Sequence, residues 1–259
     1  MIKEPYYTID FSATACNFEI LINDIPVISM EVNGQVATNV PINYAIYNNG
    51  IQNVTTKMTP LLGEISLDPE AALKYNVRLF DVANDEFKFV QDFPIAELPK
   101  IEKDQQIPFL TNSAEFSAEI PYSMTKWNDG ENLKDVENIK DKLIASYKDL
   151  TELLKNEKYD EFVEKIKVRE KNMAISMYLS NSDSNARINS LINDAKNGFK
   201  VMPFPKDTVI KFYGYGKLAT FKKLNGEPAL FLYNDETSEE LMIDQMFYVP
   251  KGKTELEVI

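Results

Sequence analysis

The sequence predicts an α+β protein in two parts: an antiparallel β half, then a half in which helices precede a second antiparallel sheet. Three observations carry this. Residues 1–125 alternate apolar and polar side chains in short runs broken by Pro, Gly and Asn, the period of strands. From residue 131 the apolar spacing becomes three and four, the period of helices. After Thr208 the alternation returns as consecutive hairpins. Strands and helices never alternate along the chain, so a parallel βαβ sheet is not expected.

The first strands read as Tyr7 to Phe11 and Phe18 to Ile22, with Phe18, Ile20 and Ile22 on one face. Asn23-Asp24 predicts a tight hairpin into residues 25–32, because Asn and Asp tolerate positive φ. Pro26 cannot donate to a ladder and puts the start of that strand at an edge or bulge. Asn33-Gly34 reads as a second turn. Further strands are expected at 53–59, 62–67, 74–81, 87–93 and 114–120, with Pro60, Pro69, Pro94, Pro99 and Pro108 between them. Many short strands at such spacing predict a β-sandwich of jelly-roll type. Trp127-Asn128-Asp129-Gly130 closes the region, which gives an acidic domain over 1–125, a linker about 123–130 and a second domain over 131–259.

In the second domain Leu133, Val136, Leu143, Tyr147, Leu150 and Leu154 fall on one helical stripe, with Ile139 beside it. Phe162, Ile166, Met173 and Met177 form the apolar face of a helix from about Glu157 to Tyr178. Ser182-Asp183-Ser184 offers N-caps for a short third helix, and Asn197-Gly198 its stop. Strands follow at 209–213, 217–224, 229–233, 242–249 and 254–258, with a hairpin signal at Asn225-Gly226.

Composition narrows the chemistry. The 259 residues contain no histidine, which removes Ser-His-Asp and Cys-His catalysis, histidine metal sites and the usual general base near neutral pH. The single cysteine, Cys16, has no partner for an internal disulfide and reads as a small buried hydrophobe. The start, Met1-Ile2-Lys3-Glu4-Pro5-Tyr6, lacks a basic then apolar leader, and no run approaches the roughly 18 apolar residues of a spanning helix. A cytoplasmic protein is the expectation. Residues 1–125 hold 7 Lys and Arg against 17 Asp and Glu, a balance of −10. Residues 126–259 hold 21 against 23, a balance of −2. An acidic first half repels nucleic acid and anionic membrane, and it either steers a basic partner inward or serves solubility alone.

Few groupings invite a functional reading. Asp81, Asp85, Glu86 and Asp92 surround one predicted hairpin, as a solvated loop, a partner-binding edge or, least, paired carboxylates for acid–base work. Trp127 at the junction suits packing of the halves or a binding hot spot. Tyr213, Asp244 and Tyr248 are the one pocket grouping, since Asp244 and Tyr248, four apart, face one side of a predicted strand, with ordinary core packing as the simpler reading. Gly214-Tyr215-Gly216 lacks the third glycine of a dinucleotide fingerprint and reads as a bend between strands. Asp129-Gly130-Glu131 lacks the ligand series of an EF-hand and reads as a helix cap. No metal or cofactor motif is found.

The second half, three helices followed by antiparallel strands, resembles the cone of NTF2-like and SnoaL-like proteins. That resemblance implies helices lying across a curved sheet and an apolar pocket in which an Asp or Tyr grips a ligand. The first half, with Phe18-Glu19-Ile20-Leu21-Ile22-Asn23-Asp24-Ile25-Pro26, resembles the start of two-part bacterial proteins. Some of these accompany secreted toxins, including type VI effectors, as immunity partners. The likeness implies a non-catalytic protein without cofactor that neutralises a basic toxin domain by occlusion. A small-molecule binder or enzyme using the second half, and a carbohydrate-binding or structural β module, are the alternatives.

Overall fold

The computed structural model describes residues 2–259, with Asp85 described by its backbone alone. The chain divides into one compact unit ending at Ser123 and a second beginning at Met124. Its class is α+β, and the pairings in its sheets are antiparallel.

The strands of the first unit are β1 (Pro5–Ile22), β2 (Ile25–Pro41), β3 (Gly50–Thr59), β4 (Ala72–Asp81), β5 (Lys88–Asp92), β6 (Ala96–Glu97) and β7 (Leu110–Ala118). All belong to one seven-stranded sheet, where the sequence predicted a sandwich of two. The reason lies in β1. The two short strands expected there are one strand of 18 residues. The alternating apolar positions of its inner face run Tyr7, Ile9, Phe11, Ala13 and then Cys16, Phe18, Ile20, Ile22, odd numbers and then even, with Thr8 and Leu21 also buried. The inversion falls at Ala15, whose φ is 47°, and the register against β2 shifts between Thr14 and Cys16. Such an irregularity bends the strand yet keeps its apolar side chains on one face. The bend gives β1 two partners along one edge, β4 against Pro5–Thr14 and β3 against Asn17–Ile22, while β2 takes the other edge. The sheet therefore curls, and its inner face gathers the core.

Asn23 and Asp24 make the expected tight turn, at φ 52° and 63°. Asn33-Gly34 does not turn: β2 runs through it, and these two residues stand opposite Ala15 in the register shift. Residues 62–67 form turns instead of a strand. Asn43, fully buried, accepts the Tyr7 N–H at 2.6 Å and donates to the Pro5 carbonyl at 2.9 Å, which satisfies the chain start against the sheet. Cys16 is buried, and burial pushes its thiol up to about 11, which leaves it inert as a nucleophile.

The second unit contains α1 (Ile139–Lys155), α2 (Tyr159–Ser176) and α3 (Asn181–Lys196). Leu133 precedes α1 instead of beginning it, though it still sits in the core. The cap of α3 is Ser180, two residues before the predicted group. Its hydroxyl accepts the Asp183 N–H and the Asp183 carboxylate accepts the Ser180 N–H, a reciprocal box.

Seven strands follow: β8 (Phe199–Val201), β9 (Thr208–Tyr213), β10 (Leu218–Lys223), β11 (Phe231–Asn234), β12 (Glu239–Met242), β13 (Phe247–Tyr248) and β14 (Glu257–Val258). They form two sheets, β14-β13-β10-β9 and β12-β11-β8, where one was expected. The turn at Asn225-Gly226 is present, with the Gly226 N–H on the Lys223 carbonyl at 3.0 Å. Beyond the bridge of Lys222 to Pro228, however, the chain leaves β10, and β11 pairs with β8 and β12. Tyr147 of α1 joins helix to sheet, its ring 5.4 Å from Phe204, 5.6 Å from Phe221 and 5.2 Å from Phe247. Pairs of this kind contribute about 0.5–1.5 kcal/mol each beyond area burial. Among the described residues no helix is long and apolar enough to cross a membrane.

Candidate functional site

The β4–β5 hairpin presents the most exposed aromatic surface of the first unit. Tyr7 and Leu79 point into the core, so their neighbours Tyr6 and Phe80 point outward by the two-residue alternation. Register places Tyr6 opposite Phe80 and Phe80 opposite Phe89, which makes a row of three aromatic rings across β1, β4 and β5. Phe80 lies 5.9 Å from Phe89, and Phe87 closes the group at 5.4 Å from Tyr6 and 6.1 Å from Phe80. Phe87 is 68% exposed and Phe89 53%, values that burial in a core would reduce to near zero. All five residues of β5 are exposed, and its outer edge has no strand partner among the described residues. A free edge beside an apolar patch invites association, and folded proteins usually blunt it.

The four carboxylates predicted around this hairpin do different work. Asp81 accepts backbone N–H groups from Glu4 at 3.1 Å, Lys3 at 3.2 Å and Ala83 at 3.3 Å. These amides, Glu4 foremost, hold its carboxyl below the ordinary range. Asp92 accepts Arg78 Nε at 2.8 Å, and Arg78 Nη1 reaches Asp10 at the same distance, a bridge across β1, β4 and β5. Glu86 is exposed, and the Asp85 side chain lies outside the described residues. Two of the four are thus engaged in holding the strands that display the aromatic row.

A pH test follows. A depressed folded-state pKa gives stability that is present above the unfolded value of about 3.8 and is lost as pH falls through the folded one. Asp81→Asn should leave a chain whose melting temperature declines less between pH 5 and pH 2 than that of the parent. Parallel declines would show that the three amides contribute nothing to the linkage.

In the second unit the expected strand bearing Asp244 and Tyr248 on one side is not formed. β12 ends at Met242 and β13 begins at Phe247, so Asp244 lies in the connection between two different sheets. Asp244 Oδ2 accepts Lys222 Nζ at 2.7 Å, and its Oδ1 is buried without a hydrogen-bond partner among the described residues. Tyr248 is buried in β13, and burial raises its phenol above the ordinary value. Tyr213 is buried at the end of β9. Trp127 is buried, with its indole against Gly214.

Sequence reading missed Lys222, the buried one of two adjacent lysines that end an otherwise apolar strand. It also missed Arg169, Glu170 and Arg187, which meet across α2 and α3. The aromatic row went unread because Phe87 and Phe89 alternate as core residues do. No cluster of three or more metal-ligating side chains occurs among the described residues. Comparison of this chain with protein-family models, with curated proteins and with solved structures finds no match.

Proposed function

We propose that this protein is a non-catalytic binding protein whose acidic first unit holds a basic partner protein at the β4–β5 hairpin. The row Tyr6, Phe80 and Phe89 with Phe87, exposed beside a free edge strand, carries the reading. Large aromatic groups at the centre of a contact supply most of its energy, and surrounding carboxylates supply steering. Residues 81–97 hold five carboxylates and one lysine, so the patch sits in a negative field. The edge of β5 offers unpaired backbone groups for strand addition. The resemblance of the first strands to immunity proteins gives the partner a class: a secreted bacterial toxin domain, neutralised by occlusion in the cytoplasm. A second likeness concerns architecture. The first half is a single curled sheet in place of a two-sheet sandwich, and three helices followed by antiparallel strands support an NTF2-like second half.

The test uses the protein encoded beside this one as the candidate toxin. It should bind, with an association rate that falls as salt rises from 50 to 500 mM. Phe89→Ala should weaken binding by about 2 kcal/mol, roughly thirtyfold in Kd, by titration calorimetry. An unchanged Kd in Phe89→Ala would move the interface elsewhere, and no binding to the parent chain would end the toxin reading.

A further inference from the structure

The second unit contains a cavity that shares no residue with the hairpin. The helices α2 and α3 and the strand β12 line an open cavity of about 400 Å³. That is within the roughly 300–1,000 Å³ of sites that take small molecules. Its walls are apolar at Ile166, Ile188, Leu191 and Leu241. At one end stand two arginines. Arg169 reaches Oε1 of Glu170, and Arg187 Nε reaches Oε2 at 2.9 Å.

One carboxylate thus serves two guanidiniums. Glu170 is almost fully buried, and Arg169 keeps a fifth of its side-chain surface in solvent. Each guanidinium has five N–H donors in a fixed fork, far more than Glu170 accepts. The Nη groups of Arg187 bond to no protein atom among the described residues. Asp244 lends its field to Arg169, yet its hydrogen bond goes to Lys222. The remaining acid of the cavity is Asp194, seven residues beyond Arg187 on the same helix and so about 10 Å along its axis. The cavity therefore has a cationic end rich in unused donors, an apolar middle and an acidic far end.

We propose that this cavity binds an amphipathic carboxylate, its anionic head on Arg169 and Arg187 and its chain along the Ile and Leu side chains. A guanidinium pair matches the two oxygens of a carboxylate. A multiply charged phosphate would press surplus charge against apolar walls, and a neutral lipid would leave the arginine donors unanswered.

The probes are octanoate, octan-1-ol and inorganic phosphate, titrated into the full chain by calorimetry. Octanoate is expected to bind saturably at one site. Octan-1-ol and phosphate should each bind at least about tenfold more weakly, the value of a charge-assisted hydrogen bond. Arg187→Met should lose about tenfold for octanoate with little change in melting temperature, since its side chain is 45% exposed. Asp194→Asn and Phe89→Ala should bind octanoate as well as the parent. The proposal falls if octanoate shows no saturable binding, if Arg187→Met binds it unchanged, or if either other probe matches it. The hairpin reading stands or falls separately, on the Phe89 result with a protein partner.

Discussion

Glu170→Ala is expected to destabilise the second unit by about 3 kcal/mol, read as a lower urea midpoint with Trp127 emission as the local probe. The cause is the charge left behind. Arg169 is largely buried between α2 and α3, and its guanidinium stays charged at any pH a protein survives. Removing the carboxylate leaves two neighbouring guanidiniums with no hydrogen-bonded counter-ion. Breaking one partner of a buried pair costs roughly 3–5 kcal/mol, and the partial exposure of both arginines puts this case at the lower end. Replacing the charge on both sides should recover most of the loss. Arg169→Met with Glu170→Leu is expected within about 1 kcal/mol of the parent, because Arg187 can turn to solvent. A loss below about 1 kcal/mol for Glu170→Ala alone would mean the network behaves as a solvated surface pair.

The class of the fold was legible because it rests on period, and period survives local errors. Residues 18, 20 and 22, and the stripe from Leu143 to Leu154, are buried as their spacing requires. The sheet count was not legible, because one irregular residue decides it. Ala15 carries no turn signature, yet its positive φ converts two predicted strands into one bent strand with two partners on one edge. Asn33-Gly34 misled for the same reason: a dipeptide that favours a hairpin also suits the bulge opposite Ala15. The charged network was invisible for another reason. Arg187 is separated from Arg169 and Glu170 by a helix turn-around, and only the packing of α2 on α3 joins them. The aromatic row depends on register, since Tyr6 and Phe89 are distant in sequence and meet only through Phe80.

Gly214→Ala should cost about 3 kcal/mol and shift the emission of Trp127, the only tryptophan in the chain. Two effects combine. Gly214 sits at φ 57°, the left-handed region, where a Cβ costs roughly 1–2 kcal/mol. That Cβ would also stand 2.8 Å from Cζ3 of Trp127, and 3.0 Å from both its Cε3 and Leu218 Cγ, so a ring or a backbone must move. Overpacking of this kind costs roughly 1–3 kcal/mol. Gly214→Asn separates the two effects. Asparagine accepts the left-handed region more readily than alanine but brings a larger side chain against the indole. If packing dominates it should be worse than Gly214→Ala, and if backbone strain dominates it should be better. Gly34→Ala is the control, with nothing within 4 Å of its Cβ, and its stability should change by less than about 0.5 kcal/mol. A silent Gly214→Ala would mean the indole does not rest on the bend. Trp127 would then be free to serve as a hot spot, a role that an indole only 5% exposed and wedged against Gly214 is not placed to fill.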